Sequence, residues 1–121
     1  MRAQAQSLAD LRARDAEERK LADEVAYTNS VCGGRIRGRI DWQSAGSWPD
    51  GRSLAEACDG ALGAVETICR SGGQARAQQI SAFVCAGDGG GPSLRGSTFR
   101  YGAASGGDAF NDSLSHLESE L

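Results

Sequence analysis

Four cysteines, Cys32, Cys58, Cys69 and Cys85, are the residues of this chain best able to do covalent chemistry, and their spacing restricts it. A structural zinc site draws its ligands in close pairs, because a tight CxxC knuckle lets one loop fill two tetrahedral positions. The cysteines are separated by 26, 11 and 16 positions, so no such pair exists, and no redox CxxC exists either. The single histidine, His116, stands well apart from them. The pattern therefore calls for no metal and no cofactor. An even number of cysteines in a small, core-poor chain points to two disulfides and to an oxidising, periplasmic or secreted location. Four buried, reduced thiols in a cytosolic interaction protein form the alternative.

Arg35, Arg37 and Arg39 alternate along one stretch and form a positive row suited to an anionic ligand or an acidic protein. Binding of single-stranded nucleic acid would want aromatic rings between them, and there are none. The plainer alternative is a solvated face, or one neutralised by the acidic end of the chain (Asp108, Asp112, Glu118 and Glu120). Gly87–Pro92 (GDGGGP) lacks the GxxxxGK[ST] spacing of a phosphate loop and the further acids of a calcium loop. His116 falls on the outer side of a terminal helix, and no GxSxG elbow accompanies it. A small hydrolase-like enzyme using His116 with a nearby Ser or Asp is the catalytic alternative. Trp48, ahead of Pro49, reads either as an exposed contact residue or as a loop plug.

The elements that must position these residues follow from periodicity. Ser53–Arg70 reads as an amphipathic helix opened by the capping box Ser53-Leu54-Ala55-Glu56 and stopped by Ser71-Gly72-Gly73. Cys58 and Cys69, eleven residues apart, return to within about 20° of one another at 3.6 residues per turn. Residues 7–26 form a charged helix with a thin apolar stripe of Leu8, Leu11, Leu21, Ala22 and Val25, enough to pack at one end only. It is set apart as residues 1–27, ahead of a stapled domain over 28–121, and it could pair with a second copy to give a homodimer. Tyr27–Ser30 is a connector. Val31–Trp42 alternates cleanly, with Cys32, Gly34, Ile36, Gly38, Ile40 and Trp42 inward and the arginines outward, as a half-buried strand does. A loop with Pro49-Asp50-Gly51 turn chemistry follows. Gln74–Gln79 is ambiguous between a helical turn and a strand lead-in. Ile80–Ala86 is a central strand, Ser93–Tyr101 a third strand, and a short helix after Asp108 carries Phe110, Leu114, Leu117 and Leu121.

The order α-β-α-β-β-α predicts an α+β domain: a three-stranded sheet with the central helix on one face. Chain direction then selects the disulfides. The helix runs back along the first strand, bringing Cys69 to Cys32, and the next strand runs forward, bringing Cys85 to Cys58. A Cys69–Cys85 bridge would require a strand of about 20 Å to double back.

Bulk properties agree. A chain of 121 residues is one domain in length, with 6% aromatics and 17 glycines, so its core is of small residues that gain from covalent staples. The formal charge of −3 gives no general attraction to nucleic acid or to an anionic membrane, and no run is long enough to span one. Twelve arginines against one lysine reflect a base-composition bias of a bacterial type of genome. Ala3-Gln4-Ala5 has the small-x-small form of a signal-peptidase site, as the remnant of a trimmed export signal would, although a polar helix beginning with alanines is the simpler account of the tripeptide. The sequence thus reads as an exported, non-catalytic binding or structural module.

Overall fold

The computed structural model describes residues 8–46, 48 and 52–121. The expected turn at Pro49-Asp50-Gly51 and the Ala3-Gln4-Ala5 tripeptide lie outside them. Helix α1 spans Leu8–Cys32, β1 Arg37–Ile40, α2 Leu54–Ile68, the single turn α3 Gln74–Ala77, β2 Ala82–Ala86, β3 Gly91–Arg95, β4 Thr98–Gly102 and α4 Ala109–Glu120. The class is α+β, as the sequence predicts, but the sheet has four strands rather than three. Their order is β1-β2-β4-β3, with β1 parallel to β2, β2 parallel to β4, and β3 antiparallel to β4.

The first helix is longer than its composition suggests. Tyr27–Ser30, expected as a connector, continues α1 because its polar side chains find partners in place. Thr28 is buried and donates its hydroxyl to Glu66 Oε2 at 2.6 Å. Asn29 reaches across to the backbone of Ile36. Gly33, at φ +66°, then ends the helix, its N–H donating to the Asn29 carbonyl at 2.8 Å. Cys32 is therefore the last residue of α1, not the first inward residue of a strand, and of the expected strand only Arg37–Ile40 forms β1. Leu21, Val25, Thr28 and Cys32, spaced i, i+4, i+7 and i+11, are buried, whereas Leu11 remains 49% exposed. As the thin stripe implied, the apolar packing of α1 lies in its C-terminal half.

The second difference lies in the third expected strand. Ser93–Tyr101 is a hairpin: Gly96, at φ +58°, and Ser97 turn the chain between β3 and β4. Pro92, expected in the preceding loop, sits in β3, an edge strand where its missing N–H costs no ladder bond. Ser71–Gly73 bends the chain after α2 with Gly72 at φ +90°, and the ambiguous segment that follows becomes the turn α3.

Both predicted disulfides are present, Cys32–Cys69 and Cys58–Cys85. Cys69 still meets Cys32 at the end of a helix because the Gly33-Gly34 turn keeps the end of α1 and the start of β1 at one pole. The bridges span 37 and 27 residues, and on the loop-entropy account each contributes about 3–4 kcal/mol. Between helices and sheet lies the core: Leu21, Leu54, Leu62, Val65, Leu117 and the tilted pair Phe83–Phe99, whose ring centroids are 5.4 Å apart.

All the long helices lie on one side of the sheet. A Cβ placed on Gly38 would meet Val25 and Leu21 of α1. Cys85, which shares that face through the Gly38–Phe83 and Ile40–Cys85 register, is bonded to α2. Tyr101 continues the face on β4, where burial first, then the charges of Asp112 and Asp108 at the start of α4, raises its pKa. The opposite side of the sheet carries no described helix.

Candidate functional site

Period two and the register place a defined set of side chains on the uncovered side of the sheet. One row runs Arg37, Ala82, Thr98 and Arg95 across the four strands. The next runs Arg39, Val84, Arg100 and Ser93. At 4.8 Å between strands, Arg37 and Arg95 stand about 14 Å apart at opposite edges, and Arg39 and Arg100 about 10 Å apart across Val84. Val84 is only 5% exposed, lying between the strands that bear those two arginines. The floor is small and apolar, and the walls are guanidinium groups.

The cations on this face differ in their partners. Arg100 donates to Asp88 Oδ2 at 2.7 Å and lies 3.7 Å from Asp41 Oδ2. The hydrogen bond from Arg100, followed by one from the Gly90 N–H, holds the Asp88 carboxyl below its ordinary value. That same bond stabilises the charged guanidinium. Both carboxylates at this end of the face are thereby committed to one arginine. Arg37, Arg39 and Arg95 are exposed, and among the described residues none of them is in an ion pair or a side-chain hydrogen bond. Arg35, also exposed, sits in the turn just before β1. The acidic terminal segment does not neutralise the row: Asp108 caps α4 by accepting from the Asn111 N–H, and α4 lies on the other side of the sheet.

Sequence alone does not single out Arg95 and Arg100, because Ser93–Tyr101 reads as one strand. The signal was there: Gly-Ser between Arg95 and Thr98 is a two-residue hairpin turn, and it folds Arg95 onto the face that holds Arg37.

The remaining singled-out residues lie elsewhere. The four cysteines are buried staples with no free thiol among them. Trp48 is half-buried, packs against the core and donates its Nε1–H to the Arg52 carbonyl at 3.1 Å. With Arg52, Glu56, Tyr101 and the Ser105–Gly107 loop it borders a cavity of about 300 Å³. The adjoining N-terminus of α2 is already capped from within, Glu17 Oε1 accepting from the Ala55 N–H at 2.9 Å and from the Ser53 hydroxyl at 2.8 Å. His116 is half-buried on α4 rather than on its outer side, and among the described residues no hydrogen bond joins it to a Ser, Asp or Glu. No group of three or more His, Cys, Asp or Glu among the described residues is placed to hold a metal ion, and no described helix is long and apolar enough to cross a membrane. Compared with family models, with curated proteins and with solved structures, the chain gives no match.

Proposed function

We propose that this protein is a non-catalytic binding module of an oxidising compartment, periplasmic or extracellular, and that it holds an acidic protein or anionic ligand on the open face of its sheet. The observation that carries the reading is the imbalance on that face: Arg37, Arg39 and Arg95 have no described counter-charge, while Asp41 and Asp88 are both engaged by Arg100. Exposed cations gain little from one another and gain from an anion that bridges them. A chain of net charge −3 that keeps these cations together on one side is asymmetric in charge, which favours an oriented partner over general adhesion. The two buried disulfides support the compartment, since such bridges persist where thiols are not kept reduced.

The test is binding of poly-glutamate to the native, oxidised protein and to the variant R37S/R39S/R95S. The native protein binds at low salt and loses affinity as ionic strength rises, and the variant does not bind. A variant that binds as well as the native protein would sink the reading. Self-association through the first turns of α1 is a second reading, favoured by the exposed Leu11. Sedimentation of a Leu11→Ser variant beside the native chain separates the two.

A further inference from the structure

We propose that the exposed edge of β1 takes up an extended, acidic segment of a partner protein as an added strand, with its carboxylates set beside Arg37 and Arg39. This rests on the open face being anion-binding and narrows the partner to a polypeptide.

β1 ends the sheet, so one side of its backbone has no strand. The Arg37 N–H donates to the Ser81 carbonyl at 3.0 Å and the Asp41 N–H to the Cys85 carbonyl at 2.8 Å. Odd-numbered residues therefore turn their peptide groups towards β2, and Ile36, Gly38 and Ile40 turn theirs outward. The first outward position is already occupied in the manner of a neighbouring strand. The Ile36 N–H donates to Asn29 Oδ1 at 2.8 Å, and Asn29 Nδ2–H donates back to the Ile36 carbonyl at 3.0 Å. One carboxamide thus supplies the donor and the acceptor that a paired residue would supply, and it stops there. Gly38, the next outward residue, is exposed, and no described group takes its N–H or its carbonyl. The other edge of the sheet is blunted, because β3 contains Pro92 and has no donor at that position.

Charge selects the occupant. Arg37 and Arg39 flank Gly38 and project onto the open face, so a second copy pairing edge to edge would set arginine beside arginine. A strand with acids at every second position places carboxylates beside both arginines while its backbone meets Gly38. Main-chain bonds supply affinity that any extended segment could use, and the two arginines supply the preference for acids.

The probe is an end-capped eight-residue peptide alternating Glu and Thr, compared with an analogue N-methylated at every internal residue and with dextran sulfate. Each is titrated into the native, disulfide-intact protein, with hydrogen exchange of the Gly38 amide followed in parallel. The plain peptide is expected to bind and to slow Gly38 exchange about tenfold, and the N-methylated analogue to bind about tenfold more weakly for want of the main-chain bonds. Equal binding of the two peptides, or dextran sulfate binding where the plain peptide does not, overturns strand addition and leaves the anionic face standing. Binding of none of the three overturns both.

Discussion

At the scale of single residues, the least comfortable group lies in the helix layer, not in the arginine row. Glu24 of α1 faces α2, where one carboxylate oxygen is buried without a hydrogen-bond partner. Burial first, then the nearby charges of Asp59, Glu56 and Glu17, raise its pKa from 4.5 to about 7, with Lys20 pulling the other way. Asp59 is raised by burial and by Glu56, whereas Glu56 is lowered by its 2.9 Å bond from Lys20. Between pH 4.5 and 7 the folded protein keeps a proton on Glu24 that the unfolded chain has released. The contribution of Glu24 to stability is thus fully present below about pH 4.5 and lost as pH rises through 7. Because the side chain is partly solvated, the loss is on the order of 1 kcal/mol. Glu24→Gln is expected to gain that amount over the native protein at pH 8 and almost nothing at pH 4, read from urea unfolding at the two pH values. An equal effect at both would contradict this account of the α1–α2 contact.

At the scale of elements, the fold is a set of short distances held by small residues and two bridges. Helix α4 crosses α2 so closely that a Cβ on Gly60 would come to 2.9 Å from the Phe110 nitrogen and 3.0 Å from Ala109 Cβ. The same atom on Gly63 would meet only the Phe110 ring, at 3.6 Å. Alanine gains about 1 kcal/mol in helix propensity at either site, but overpacking costs about 1–3 kcal/mol where the backbone must move. Gly60→Ala is therefore expected to destabilise by about 1–2 kcal/mol and Gly63→Ala to stabilise by about 0.5–1 kcal/mol, as opposite shifts in thermal midpoint. Element by element, the cysteine pairing and the central helix were legible because chain direction and periodicity over 15 residues leave few alternatives. The end of α1 was not. Thr28, Asn29 and Ser30 have connector composition, and only their tertiary partners, Glu66 and the Ile36 backbone among them, keep them helical. On α4 the buried stripe centres on Ser113 and Leu117, leaving Phe110 37% exposed with its ring beside Gly63 of α2.

At the scale of the whole molecule, the sheet separates two surfaces of different charge. Its helix layer bears the acids of α1, α2 and α4, and its open side bears Arg37, Arg39, Arg95 and the balanced Arg100. Half of this surface was readable as a period-two row. The other half depended on a hairpin whose register brings Arg95 and Arg100 beside it, and register is a property of strand pairing that no single segment encodes. The most direct measurement is amide chemical-shift mapping of the native protein during titration with poly-glutamate at low salt. Shifts are expected to gather on Arg37, Arg39, Val84, Thr98 and Arg95 and to vanish as salt is added. Shifts gathered around Trp48 and Arg52, or along the helices, or no shifts at all, would contradict it.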